Sequence, residues 1–155
     1  GYFKNGKAEG LATFWYKSGE KWFETHYKND KQDGLETWWY ETGEKEKEGY
    51  FKNGKADGLT TFWYKSGEKK SETHYKNGKQ DGLNTTWYKN GKKKSETQFK
   101  NGEKDGFYKE WYKSSRKKLL AHYKNGIENG KRKEWDKDGK LTFEGNFVDG
   151  VEEIK

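Results

Sequence analysis

Short aromatic and β-branched runs alternate with glycine-bearing polar stretches along this chain, and they do so at constant spacing. Residues 11–16 read Leu-Ala-Thr-Phe-Trp-Tyr, residues 17–20 read Lys-Ser-Gly-Glu, residues 21–28 return to strand-forming types, and residues 29–34 form a looser polar segment with Asp and Gly. That order predicts a β-hairpin followed by a connector. A helix is excluded, because glycine recurs every few residues and no apolar face persists at a 3.6-residue period. The chain has no proline, which suits strands that must donate every ladder hydrogen bond.

The hairpin recurs. Trp15, Trp39, Trp63, Trp87, Trp111 and Trp135 stand 24 residues apart, as do Gly10, Gly34, Gly58, Gly82, Gly106 and Gly130. A third series, Gly19, Gly43, Gly67, Gly91 and Gly139, is interrupted only by Ser115. The stretch 1–21 returns at 49–69 with differences only at 9/57 and 12/60, so a 48-residue doublet underlies the 24-residue period. The expected division is a partial repeat 1–6, full repeats 7–30, 31–54, 55–78, 79–102, 103–126 and 127–150, and a partial cap 151–155. This arrangement predicts an all-β fold: an open, elongated, twisted antiparallel meander of about six stacked hairpins with a periodic aromatic interior.

Two hairpin registers fit the sequence. A two-residue turn sets Trp15 opposite Trp22 and Tyr27 opposite Gly10, whereas a three-residue loop with a glycine bulge sets Trp15 opposite Phe23 and Leu11 opposite Tyr27. In either, equivalent tryptophans lie two strands, or about 10 Å, apart, too far to stack on one another. Phe3, Tyr27, Phe51, Tyr75, Phe99, Tyr123 and Phe147 in the intervening strands are the expected spacers.

Composition narrows the picture. Hydrophobic residues make up only 28% and charged residues 38%, which alone would suggest disorder, yet aromatics supply 18%. A folded, thin, aromatic-rich sheet reconciles the three figures. Cysteine is absent, so a disulfide framework and a thiolate metal site are excluded. No apolar run reaches the roughly 20 residues of a membrane-spanning helix, and no signal peptide is visible. The absence of Met and a start partway through a repeat read as a processed or excised chain. Secretion or surface placement is preferred to a cytoplasmic one.

With these residues in view, Y/F-K-N-G-K-x-D-G-L-x-T-x-W-Y-K-S/N-G, as in residues 75–91, resembles the MORN-repeat family in its bacterial variant form. The likeness spans essentially the whole chain. It implies hairpins stacked in an extended sheet and a binding or scaffolding role toward proteins, membrane lipids or, in antitoxin-like fashion, a toxin. It assigns no catalytic residue and no cofactor.

Candidate chemistry is sparse. His26, His74 and His122 lie two repeats apart, about 19 Å, and cannot share a metal. Glu24, Glu48, Glu72, Glu96 and Glu144 form a carboxylate row expected to pair across strands with Lys and Thr. The serines have no recurring His/Asp context, so no nucleophilic triad is expected. Net charge is +7 and uneven: residues 79–102 and 103–126 each carry +4, residues 31–54 carry −2. Lys69, Lys70, Lys92, Lys93, Lys94, Arg116, Lys117 and Lys118 occupy corresponding hairpin sites, so an anion-binding ridge for anionic lipid or another polyanion is one expectation. Nucleic acid is disfavoured, since the aromatics are needed inside and 26 acidic residues dilute the positive charge. Trp22, Phe23 and Trp38 break the template by adding aromatics, and they form the candidate protein-binding site. Self-association through end strands is open to any such sheet.

Overall fold

The computed structural model describes residues 2–154. Two compact units emerge, residues 1–79 and 80–155. In the first are strands β1 (Tyr2–Lys4), β2 (Lys7–Trp15), β3 (Lys21–Lys28), β4 (Lys31–Trp39), β5 (Lys45–Lys52), β6 (Lys55–Ala56), β7 (Gly58–Trp63) and β8 (Lys69–Lys76). The second holds β9 (Lys79–Trp87), whose first residue closes the first unit, β10 (Lys93–Lys100), β11 (Glu103–Trp111), β12 (Lys117–Lys124), β13 (Ile127–Glu128), β14 (Gly130–Trp135), β15 (Leu141–Val148) and β16 (Val151–Glu152). Each unit is an open antiparallel meander in which strands pair with their neighbours in the chain.

Two kinds of turn alternate. At Tyr16–Glu20 the Gly19 N–H donates to the Tyr16 carbonyl at 3.0 Å and the Tyr16 N–H to the Glu20 carbonyl at 2.8 Å, a three-residue loop closed by a residue of positive φ. Glycine fills that place at Gly19, Gly43, Gly67, Gly91 and Gly139, but Ser115 occupies it at φ 72. An L side chain there costs about 1 kcal/mol. Ser115→Gly is therefore expected to raise stability by about that much, read as a higher urea midpoint; an unchanged midpoint would show that Ser115 carries no strain.

The other turn is Asn-Gly. Asn53 and Gly54 have φ of 51 and 78, the two positive values of a type I′ turn, with Lys52 and Lys55 paired outside it. The segment expected to be a loose connector is thus a tight hairpin turn, and the chain reverses tightly at both ends of every repeat. These turns are tied to the hairpin before: Gly54 N–H donates to the Gln32 carbonyl at 2.7 Å, and Asn53 N–H to Asp33 at 3.2 Å. Asn29, Asn77, Asn101 and Asn125 repeat the second bond to Glu9, Asp57, Asp81 and Asp105. The carboxylate of the repeated x-D-G motif therefore satisfies a backbone donor 20 residues further on.

The register combines features of both alternatives. Gly10 pairs with Tyr27 and Phe14 with Phe23, but Trp15 pairs with Lys21, leaving Trp22 as an extra residue in β3. The three-residue loop shifts the pairing by one and a bulge shifts it back. Glu46, Lys70, Lys94, Lys118 and Thr142 are the extra residues at the same place in the other hairpins.

Trp15 accordingly faces a lysine, and the aromatic spacers are corrected. Tyr27 lies at the far end of its hairpin, opposite Gly10. Lysine fills the gaps in the tryptophan row instead: Lys21 Nζ lies 5.3 Å from the Trp39 ring centre, Lys45 Nζ 5.8 Å from Trp63, and Lys117 Nζ 5.8 Å from Trp135. A lysine stem is long enough to span the interval, and its ammonium gains the attraction of the ring face.

The interior also differs from an aromatic one. Thr25, Thr37, Thr60, Thr61, Thr73, Thr85 and Thr97 are buried, joined by Glu36, while Phe23 and Ala121 are the only buried hydrophobic residues among those described. In a single-layer sheet the mid-strand positions are covered by long side chains on either hand. A small β-branched residue fits beneath them, and the rings end half-exposed.

Candidate functional site

The bulge explains the one aromatic cluster that departs from the repeat. Adjacent strand residues ordinarily point to opposite faces, but the extra residue turns Trp22 onto the face of Phe23, with ring centres 6.4 Å apart. Trp38 in β4 stands opposite Phe23 at 4.3 Å and meets Trp22 edge-on at 5.4 Å and 83°. Phe14 stacks on Phe23 at 5.6 Å and 20°, and Tyr16 reaches Trp22 at 6.2 Å. The structure thus brings Trp22, Phe23 and Trp38 together and adds Phe14 and Tyr16. Neither stands out in the sequence, since each matches its repeat equivalent, Phe62 for Phe14 and Tyr40 for Tyr16; only the register reveals them. Phe23 is 9% exposed, Trp22 40% and Phe14 44%, so a buried ring supports exposed ones.

Beneath the cluster lies a polar floor. Glu36, 3% exposed, accepts from Trp38 Nε1 at 2.9 Å, from Lys47 Nζ at 2.7 Å and from Gln32 Nε2 at 2.8 Å. Lys47 Nζ lies 6.0, 5.6 and 5.9 Å from the Trp38, Phe51 and Phe62 ring centres. The Glu36 carboxylate thereby fixes the Trp38 ring, while Thr25 Oγ1, opposite Glu36, is buried without a hydrogen-bond partner. The rim is acidic: the Tyr16 hydroxyl is held above its ordinary pKa by burial and by Glu46 and Glu41, and Tyr40 by burial and Glu46.

The basic residues are divided rather than gathered. Lys69 and Lys93 are ion-paired with Glu72 and Glu96. Lys70 and Lys94, one residue on, lie 5.9 Å from the Tyr64 and Tyr88 rings. Lys117 is at Trp135, Lys118 pairs with Glu110 at 2.9 Å, and Arg116 donates to the Lys137 carbonyl at 2.8 Å. Lys92 is exposed. Consecutive basic residues leave the strand in different directions, so an uninterrupted row in sequence becomes several separate contacts.

The carboxylate row is engaged as well. Glu24 accepts from Lys21 and Thr13, each at 3.0 Å, and these contacts hold its pKa below the ordinary value against a smaller opposing effect of burial. Lys45 and Glu48 repeat the pairing. Residues three apart in a regular strand face opposite ways; the bulge puts them on one side. Only Glu144 pairs across strands alone, with Lys133 at 2.8 Å. His26 and His122 each place Nδ1 near a carbonyl, of Leu35 at 3.3 Å and Lys131 at 3.2 Å. No cluster of three or more His, Cys, Asp or Glu able to hold a metal occurs among the described residues.

In the second unit Tyr108 donates to Glu110 at 2.5 Å, and Lys104 Nζ lies 4.5 and 4.7 Å from the Tyr108 and Tyr123 rings. Burial, then the bond to Glu110, raises the Tyr108 pKa well above 10.0. Above that pH the unfolded chain loses a proton that the folded chain keeps. Stability therefore falls as pH rises from 10.0 through the higher folded pKa, by less than the one-proton maximum of about 1.4 kcal/mol per pH unit because the phenol is partly solvated. Tyr108→Phe is expected to flatten the alkaline limb and remove the latest phenolate step in ultraviolet absorbance; superimposable titrations would refute this.

The comparisons with known proteins agree with this architecture. The profile of the MORN repeat variant matches residues 8–29, 32–53, 56–77, 80–101 and 128–149. These segments keep the 24-residue step, and residues 104–125, where Phe107, Ser115 and Leu119-Leu120 depart from the template, are not among them. No curated protein matches the chain significantly.

Proposed function

The chain belongs to the MORN repeat variant family, repeats that generally bind proteins or membrane lipids without catalysing a reaction, and from that premise we propose a non-enzymatic recognition module whose protein partner lands on the aromatic face of the first unit. The observation that carries this reading is the convergence of Phe14, Tyr16, Trp22, Phe23 and Trp38, with Trp22 and Phe14 presented on an immobilised base. Rigid aromatic anchors contribute disproportionately to binding because little side-chain entropy is left to lose. The Trp22 indole N–H has no hydrogen-bond acceptor among the described residues and is free to meet one on a partner.

Trp22→Lys tests the proposal while preserving the fold, since Lys70, Lys94 and Lys118 occupy the same bulge in other hairpins. Proteins captured by the intact chain should be lost, with affinity falling about thirtyfold for an anchor worth about 2 kcal/mol. Equal recovery of the same partners by both proteins would remove the aromatic face from the interface. Association with an anionic surface through the basic turns, where Lys92 and Arg116 are exposed, is the second reading. Sedimentation with phosphatidylserine vesicles separates the two, because that binding should disappear at high salt whereas aromatic anchoring persists.

A further inference from the structure

One hairpin of the second unit has exchanged the residues of a recurring polar triad for a different chemistry. At four hairpins the face bearing the tryptophan row repeats threonine, glutamate and lysine: Thr13, Glu24 and Lys21; Thr37, Glu48 and Lys45; Thr61, Glu72 and Lys69; Thr85, Glu96 and Lys93. Each of those lysines is ion-paired with its glutamate. Between β11 and β12 the three places hold Lys109, Leu120 and Lys117, so the local charge changes from zero to +2.

The exchange leaves two ammonium groups without a carboxylate. Among the described residues Lys117 contacts the Trp135 ring at 5.8 Å and Lys109 the Phe107 ring at 4.2 Å, and neither has an ion pair. Lys133, which also faces Leu120, is occupied by Glu144 at 2.8 Å. Where the glutamate would have extended there is a hollow of about 180 Å³ lined by Trp111, Trp135, Leu119, Leu120, Lys109 and Lys117. Glu110 also borders it, but its carboxylate is taken by Tyr108 and Lys118.

We infer that this hollow binds a carboxylate carried on a flat apolar ring, the carboxylate replacing the missing glutamate beside Lys117 and Lys109 and the ring lying on Leu120 beside Trp111 and Trp135. The volume is well below the roughly 300 Å³ at which drug-sized sites begin, so it admits one ring and its acid group. Lys109 is half-buried and Lys117 exposed, so the two ammonium groups stand at a partly solvated rim where the attraction between opposite charges exceeds that in bulk water. The same chemistry is offered by a free aromatic acid and by an acidic residue next to an aromatic one in a peptide.

The test uses the full chain labelled with ¹⁵N, titrated with benzoate while the Trp111 and Trp135 indole N–H resonances are followed. Saturable shifts are expected, at least tenfold weaker for neutral benzamide. Leu120→Glu restores the residue of the other four hairpins and should abolish the shifts by giving Lys117 an internal partner; Lys117→Gln should weaken them at least tenfold with the fold retained. Displacement of benzoate by a capped Asp-Phe dipeptide would assign the natural ligand to a peptide, and benzoate binding without displacement would assign it to a free acid. The inference is overturned if benzoate never saturates, if benzamide binds equally, or if both variants bind benzoate as the parent does.

Discussion

Glu36→Ala is expected to lower the free energy of unfolding by about 3 kcal/mol, the largest loss for any single polar side chain in the first unit. Glu36 is 3% exposed and gathers three donors, Trp38 Nε1, Gln32 Nε2 and Lys47 Nζ. Removing the carboxylate leaves an ammonium among three rings and an indole N–H with no acceptor. Deleting one partner of a buried pair costs about 3–5 kcal/mol, and the lower end applies because the Lys47 side chain retains 26% exposure. Tryptophan fluorescence in urea measures it. A loss under about 1 kcal/mol would mean that the floor is not needed to hold Trp38. Glu36→Leu combined with Lys47→Leu removes both charges and should recover most of the loss, which separates the unpaired charge from the lost volume.

Gly49→Thr should cost about 2 kcal/mol, although threonine is the residue at the corresponding sites 25, 73 and 97. Gly49 stands opposite Glu36, and a Cβ on it would come within 2.7 Å of Thr60 Oγ1. Thr60 is itself 3% exposed and has little room to retreat. The glycine is there for space. Thr60→Ala removes the atom that a Gly49 Cβ would meet first. That addition should recover part of the cost in a double-mutant cycle; strictly additive losses would show that Thr60 is not responsible.

Much of this architecture could be read from the sequence because its signals are local and repeated. Glycine at one phase and tryptophan at another define a hairpin without any tertiary information, and Asn-Gly is a turn in almost any context. The register was a different matter. It results from two single-residue shifts of opposite sense, a loop residue and a bulge residue, and a sequence counts residues without showing which of them is left unpaired. Everything dependent on the bulge was hidden with it: the lysines between the tryptophans, the Lys–Glu pairs three residues apart, and the turning of Trp22 toward Phe23. The candidate trio Trp22, Phe23 and Trp38 was visible as a departure from the template, whereas Phe14 and Tyr16 conform to it. Glu36 had no signal of its own, since a lone acidic residue in a strand ordinarily faces water. The threonine interior escaped a hydropathy reading because threonine is buried by position rather than by its apolar content.

The bulge behind the tryptophan row has a consequence for how these hairpins could diversify. Trp22, Glu46, Lys70, Lys94, Lys118 and Thr142 all occupy it, so one backbone geometry already accepts an indole, a carboxylate, an ammonium and a hydroxyl. A residue left out of the ladder can be exchanged without disturbing a cross-strand partner. Six such addresses make the chain a natural library scaffold, in which altered recognition requires single codon changes and leaves hairpin length and pairing untouched.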